Sequence, residues 1–393
     1  MNHPSRRHVL GGLCACSALA LAGCQTTGSP AGRVNAGYRP DLASDEGALW
    51  YFMDREEQSY KRSRFVLRDA ALNDYVREVV SRLADAHSGD IRTYIMRTPY
   101  FNASMAPNGM MQVWTGLMLR AQNEAQLAAV LGHEIGHYLE RHTLQRVRAA
   151  REQGDLAAVL GIGLGVAGVG ALSNISNLMI LANLYAFSRD QERQADQIGI
   201  ELMSAAGYAP IEASAVWAQL IEERSADPDP KSGGVLFATH PSSEERMQTL
   251  KTQAESFEKP GQDLFADRYR QALAPLRRTL FDDELRLRQY PRSLKLFEII
   301  ARTQGEDALV AFYSGEVYRL RHADGDRPQA IAAYERAQTL ADCPVDVHRS
   351  LGLVHLQAGD RTAAERAFGE YLRLNPTAND RQMIQSYLTV SPS

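Results

Sequence analysis

Residues 130–142 read VLGHEIGHYLERH, and this stretch restricts what the chain can fold into more than any other. Leu127, Val130, Leu131, Ile135, Tyr138 and Leu139 recur at spacings of three and four. That is the pattern of a helix with a buried stripe, starting near Asn123. His133 and His137 are four residues apart and share a face of such a helix, so both rings can aim a nitrogen at one ion. Glu134 lies beside that face. Zinc lowers the pKa of a bound water toward neutral, and a neighbouring carboxylate can then take its proton as the water attacks a carbonyl. The pattern H-E-x-x-H is fairly specific for that chemistry. Gly132 and Gly136 interrupt the helix interior, each at a cost of about 1 kcal/mol relative to alanine. Close packing around a metal would explain that cost.

A catalytic zinc needs a third protein ligand and one open position. The longer pattern H-E-x-x-H-x-x-G-x-x-H is broken here, because Glu140 and Thr143 stand at its glycine and last histidine. His142 falls one residue out of place and is expected to face solvent. A second helix, SRDQERQADQIGIELM (188–203), offers an alternative. Glu192 and Asp196 share one of its faces, and Ala195 leaves room for a neighbouring helix. Glu192 can bind the metal while Asp196 accepts the N–H of a zinc histidine.

The rest of the chain sets the context. Its 393 residues are 45% hydrophobic and 23% charged, an ordinary globular composition that allows two or three domains. The formal charge is -4 and no long basic run is present, so nucleic-acid binding is set aside. Arg6 and Arg7 precede an apolar run from Val9 to Ala22, and small residues lead into Cys24. This is a secretory signal. Its end resembles the bacterial lipobox, which implies cleavage before Cys24, lipidation of that cysteine and, with Gln25 next, transfer to the outer membrane. After cleavage only Cys24 and Cys343 remain, and with Cys24 lipidated no intramolecular disulfide can form. Residues 24–45 are rich in Gly, Pro, Ser and Thr and read as a flexible tether. Residues 91–97 and 110–116 alternate like strands around a turn-rich segment at 102–109. An edge strand there could pair with an extended substrate.

Between the two metal helices, residues 156–172 read LAAVLGIGLGVAGVGAL. No strand–turn–helix frames the glycines Gly163, Gly165 and Gly168, so dinucleotide binding is rejected. The segment reads as an apolar flap beside the site or, less favourably, as a membrane-inserted stretch. In the C-terminal third, Ala330, Tyr334 and Ala337 are matched 34 residues later by Ala364, Phe368 and Tyr371, with Pro376 closing the second unit. That period and those residue types are the signature of TPR-like helical repeats, whose concave surface would suit a polypeptide partner.

Three motifs in order, HEIGH, SRDQERQAD and ATHPSSEER (238–246), carry a resemblance to the BepA-like periplasmic zinc metallopeptidases, which share a clan with the HtpX and CAAX prenyl endopeptidases. The resemblance covers roughly residues 46–255. It implies one zinc per chain held by His133, His137 and Glu192, with Glu134 as general base and Asp196 supporting the site. It further implies His240 as a fourth ligand or gate, and substrate contacts at Arg246 and at Asn102 in the strand before the zinc helix. Ser104 departs from the aromatic residue that usually follows Asn-Ala in that strand. The expected fold is mainly α: a signal peptide (1–23), a tether (24–45), and a gluzincin-type peptidase domain with a small β-sheet (46–260). A helical connector (261–306) and TPR-like repeats (307–393) follow. The expected substrates are misassembled envelope polypeptides, and the repeats would serve contacts with outer-membrane assembly machinery.

Overall fold

The computed structural model describes residues 32–152, 187–227, 240 and 244–389. The signal segment, Cys24 and the apolar stretch at 156–172 lie outside the described residues. Two helices, α1 (Asp45–Arg62) and α2 (Ala70–Ala84), lead into a three-stranded sheet of β1 (Arg92–Met96), β2 (Ala103–Met105) and β3 (Met110–Trp114). The strand order is β1-β3-β2. β3 runs parallel to β1, with Arg92 opposite Met110, and antiparallel to β2, with Ala103 opposite Val113. The turn-rich segment therefore contains a short strand of its own, and β2 is an edge of the sheet. Helix α3 (Thr115–Arg120) takes over where the second expected strand was read to 116.

The next helix, α4 (Glu124–Leu139), is buried along its whole length. The Asn123 side chain caps it by accepting from the Gln126 N–H at 2.9 Å. Helix α5 (His142–Glu152) follows, then α6 (Arg189–Ala205), which opens with a reciprocal capping box between Ser188 and Gln191. Helices α7 (Glu212–Ser225), α8 (Glu244–Glu255) and α9 (Ala266–Leu273) complete this layer. A single apolar core runs from α2 through the sheet and α4 to α6, α7 and α8, and includes Tyr269 and Leu273 of α9.

A second core lies in α10 (Arg277–Arg286), α11 (Tyr290–Gln304), α12 (Ala308–Arg321), α13 (Asp326–Gln338) and α14 (Asp346–Gln357). Helices α15 (Arg361–Leu374) and α16 (Arg381–Thr389) form a smaller cluster at the end. In α12 and again in α14 a glycine receives an aromatic ring from the following helix. A Cβ on Gly315 would lie 2.5 Å from the Tyr334 ring, and one on Gly352 would lie 2.4 Å from the Phe368 ring. The two rings stand 34 residues apart and the two glycines 37, so the two units repeat one packing contact at slightly different spacing.

Two expectations about boundaries change. Residues 33–44, read as tether, lie against the domain. Val34 is buried and its N–H donates to the Leu139 carbonyl at 2.8 Å, while Gly37 N–H donates to Asp90 at 2.8 Å. A polar, turn-rich segment can still dock when its backbone finds partners, and composition does not reveal that. The connector is also split: α9 belongs to the first core, and α10 and α11 to the second. The two cores are joined by a buried ion cluster. Arg120 of α3 donates to both oxygens of Glu223 at 2.8 Å and to Glu284 of α10 at 3.0 Å.

The crossing of α4 and α6 is backbone against backbone. A Cβ on Gly136 would lie 2.8 Å from the Ala195 carbonyl oxygen, and one on Gly199 would lie 2.8 Å from the His133 nitrogen. Alanine at 199 would gain about 1 kcal/mol of helix propensity, but overpacking a tight contact costs about 1–3 kcal/mol, so the loss should win. Gly199→Ala is expected to lower the thermal midpoint and to weaken metal binding, because α6 must move away from His133. Calorimetry with and without zinc checks this, and an unchanged or raised midpoint would contradict it.

Candidate metal centre

The close crossing sets the metal donors. His133 and His137 come from one face of α4, Glu192 from the first turn of α6, and His240 from the segment before α8. One ligand atom from each lies within 4.8 Å of the others, and all four residues are buried. The His133 and His137 Nε2 atoms are 3.0 Å apart, and His133 Nε2 is 3.3 Å from His240 Nδ1. Glu192 Oε1 lies 2.9 Å from His240 Nδ1 and 3.4 Å from His137 Nε2. Zinc–nitrogen bonds of 2.0–2.1 Å give a tetrahedron with edges of about 3.3 Å, and these separations are of that size. Three imidazoles and a carboxylate converging on one buried point fit zinc.

The surroundings orient the donors. His133 Nδ1 donates to Asp196 Oδ1 at 2.9 Å, which leaves the Nε2 lone pair for an ion. Asp196 also accepts from Arg246 through both oxygens, at 2.6 and 2.7 Å. Arg246 Nη1 lies 2.9 Å from Glu192 Oε2, and its guanidinium stacks 4.2 Å over the Trp217 ring. Arg246 is thus turned inward, against the two carboxylates of α6. Phe187 stacks on His137 with ring centroids 3.9 Å apart.

The electrostatics follow from burial and charge. Burial raises the Glu134 carboxyl above its ordinary range, which suits a proton acceptor. Burial also opposes charge on Glu192, but His240, His137 and His133 outweigh it and hold that carboxyl low. Asp196 is held low in the same way, chiefly by Arg246. Burial pushes the His137 imidazole well below its usual range, so it stays neutral and able to bind metal. Glu134 Oε1 is buried without a hydrogen bond among the described residues and lies 3.6 Å from His240 Nε2.

Asn102, beside the edge strand, is buried, and its Oδ1 also lacks a partner among the described residues. Its backbone carbonyl accepts from Trp114 N–H at 3.1 Å. His142 departs from expectation. It is fully buried, with its Nδ1 2.8 Å from His137 Nδ1 and its Nε2 3.1 Å from Gln194 Oε1. On a straight helix residue 142 would lie about 140° round from residue 137. Instead α4 ends at Leu139 with Glu140 as its C-cap, Arg141 adopts a left-handed φ of 55°, and the turn brings His142 back onto the site. An arginine is not the usual signal for that turn, so the sequence hides it.

The donor set and the buried carboxylate beside it fit a metallopeptidase site, and residues 67–254 match the model of peptidase family M48. The matched segment contains His133, His137, Glu192 and His240, and a helical region follows it. A fission-yeast (Schizosaccharomyces pombe) protein named mitochondrial metalloendopeptidase OMA1 is 32% identical over 181 residues, covering 45% of this chain and 51% of that one. A Vibrio cholerae protein named putative beta-barrel assembly-enhancing protease is 28% identical over 204 residues, covering 49% and 41%. The Escherichia coli beta-barrel assembly-enhancing protease is 23% identical over 247 residues, covering 58% and 49%. The chain spans about half the length of the curated relatives it matches or less.

Proposed function

We propose that this chain is a zinc endopeptidase of the bacterial envelope, anchored by lipid at Cys24, that hydrolyses misassembled or unfolded envelope proteins. The observation that carries this reading is the convergence of His133, His137 and Glu192 with the buried base Glu134 beside them. Zinc, when bound, supplies the Lewis acid that activates water and polarises the scissile carbonyl. Glu134, its basicity raised by burial, takes the proton from the attacking water and passes it to the leaving nitrogen. Asp196 keeps His133 in the metal-binding tautomer. β2 is an edge strand of the described sheet, buried in this structure, and once uncovered it would offer backbone groups to an extended polypeptide, with Asn102 next to it. Arg246, already bound to Asp196 and beside Glu192, bears on substrate through Trp217, which it stacks over and which lines the pocket next to Glu134 and His240. The helical region after the peptidase domain reads as TPR-like repeats that bind a polypeptide partner. The names of the bacterial relatives, which speak of beta-barrel assembly, support an envelope-assembly setting.

A second reading makes the peptidase latent, and His240 favours it. Its Nδ1 lies among the metal donors and its Nε2 faces Glu134. It therefore occupies the space that the attacking water needs. In that state the protein would act on partners as an assembly factor until His240 withdraws.

One assay separates these readings. Hydrolysis of an unfolded polypeptide is measured for the mature chain and its variants at matched zinc content. Glu134→Gln should keep zinc and lose about 10²–10⁴-fold in turnover, whereas turnover equal to the unmodified chain would overturn the mechanism. His240→Ala should raise basal turnover if the imidazole is a gate, and a fall would assign it to substrate instead. Location is tested separately. Cys24→Ser should free the mature protein from the membrane fraction or leave it uncleaved, and firm membrane retention of the cleaved variant would contradict lipid anchoring.

A further inference from the structure

His133 and His137 are both buried metal donors, but different groups hold them. His133 has a carboxylate, Asp196, on its Nδ1. Among the described residues His137 has no carboxylate there; the atom facing its Nδ1 is His142 Nδ1, at 2.8 Å. One of these two nitrogens must carry the proton. His142 Nε2 faces the Gln194 side-chain oxygen at 3.1 Å, and an amide oxygen only accepts. His142 therefore carries its proton on Nε2 and offers a lone pair at Nδ1. His137 then carries its proton on Nδ1 and presents a lone pair at Nε2, the atom that sits among the metal donors. The opposite polarity would place a proton on His137 Nε2 and block it as a ligand.

We propose that His142 is a positioning residue for the metal centre: anchored by Gln194, it accepts the Nδ1–H of His137 and fixes that ring in the tautomer that binds metal. Phe187 completes the clamp by stacking on the His137 ring at an interplanar angle of 19°. The charge of the site explains why a neutral acceptor serves here. Glu134, Glu192 and Asp196 are three buried carboxylates, one guanidinium, Arg246, contacts Glu192 and Asp196, and a divalent ion would balance the remaining charge. A fourth carboxylate on His137 would leave a buried negative charge uncompensated, which is costly.

This inference rests on the zinc reading, and the test keeps the two apart. Zinc dissociation constants are measured on the full mature chain by competition with a chromophoric chelator. If the unmodified chain binds no zinc, the underlying reading fails. If it binds, His142→Ala should weaken binding by about 10–100-fold, the usual effect of losing an outer partner of a ligand. His142→Gln, which can still accept from His137 Nδ1–H, should recover most of that loss. A His142→Ala constant within twofold of the unmodified chain overturns the proposal, and so does a His142→Gln chain no tighter than His142→Ala. If His142→Ala does not fold, Gln194→Leu decides, because Gln194 is exposed and its loss spares the core. Weaker zinc binding by several-fold supports the anchor, and unchanged binding overturns it. Long-range nitrogen–proton spectra of histidine-labelled, zinc-loaded protein give a second readout. They should show the His137 proton on Nδ1, and a proton on its Nε2 would contradict the assignment.

Discussion

The contact between α4 and α6 is the constraint on which the site depends. Two helices with ordinary side chains between them keep their axes about 8–10 Å apart. Here Gly132 and Gly136 on one side, and Ala195 and Gly199 on the other, let backbone touch backbone. Only at that range can a side chain as short as glutamate, in the first turn of α6, reach the nitrogens of two histidines on α4. The same approach brings Asp196, one turn further on, to His133 Nδ1. The glycines weaken the helices as isolated elements, and burial of α4 along its whole length offsets that weakness.

The second constraint is electrostatic. Three carboxylates buried within one small volume would repel one another and take up protons. Arg246 bridges two of them, Asp196 and Glu192, and lies over Trp217 rather than in water. A zinc ion would supply the remaining positive charge. The site is therefore complete only with its metal, and metal binding should contribute to the stability of the fold. Glu134 Oε1 is left without a hydrogen bond among the described residues, which is costly for a structural carboxylate and useful for a base.

Much of this was legible in the sequence. The spacing of His133 and His137, the pairing of Glu192 with Asp196, and the glycines as signs of close packing all follow from helical periodicity. The aromatic positions of the C-terminal units also announced their packing, since Tyr334 and Phe368 meet Gly315 and Gly352. What stayed hidden depends on departures from regular geometry. His142 reaches the site because Arg141 turns left-handed, and a helical projection carries it the wrong way. Val34 docks through backbone hydrogen bonds that composition does not reveal. The place where one core ends and the next begins, between α9 and α10, is set by which residues Tyr269 and Phe281 touch. No local pattern marks it.

The central claim is that α4 and α6 together build a zinc centre of nitrogen and oxygen donors. X-ray absorption at the zinc edge, on the full mature chain loaded with one equivalent, tests it most directly. The account predicts a four-coordinate first shell at about 2.0–2.1 Å, made of three imidazoles and one carboxylate in the resting state, with no sulfur. A zinc–sulfur distance of about 2.3 Å, which would place the ion at Cys343, or a shell with fewer than two imidazoles, would contradict it.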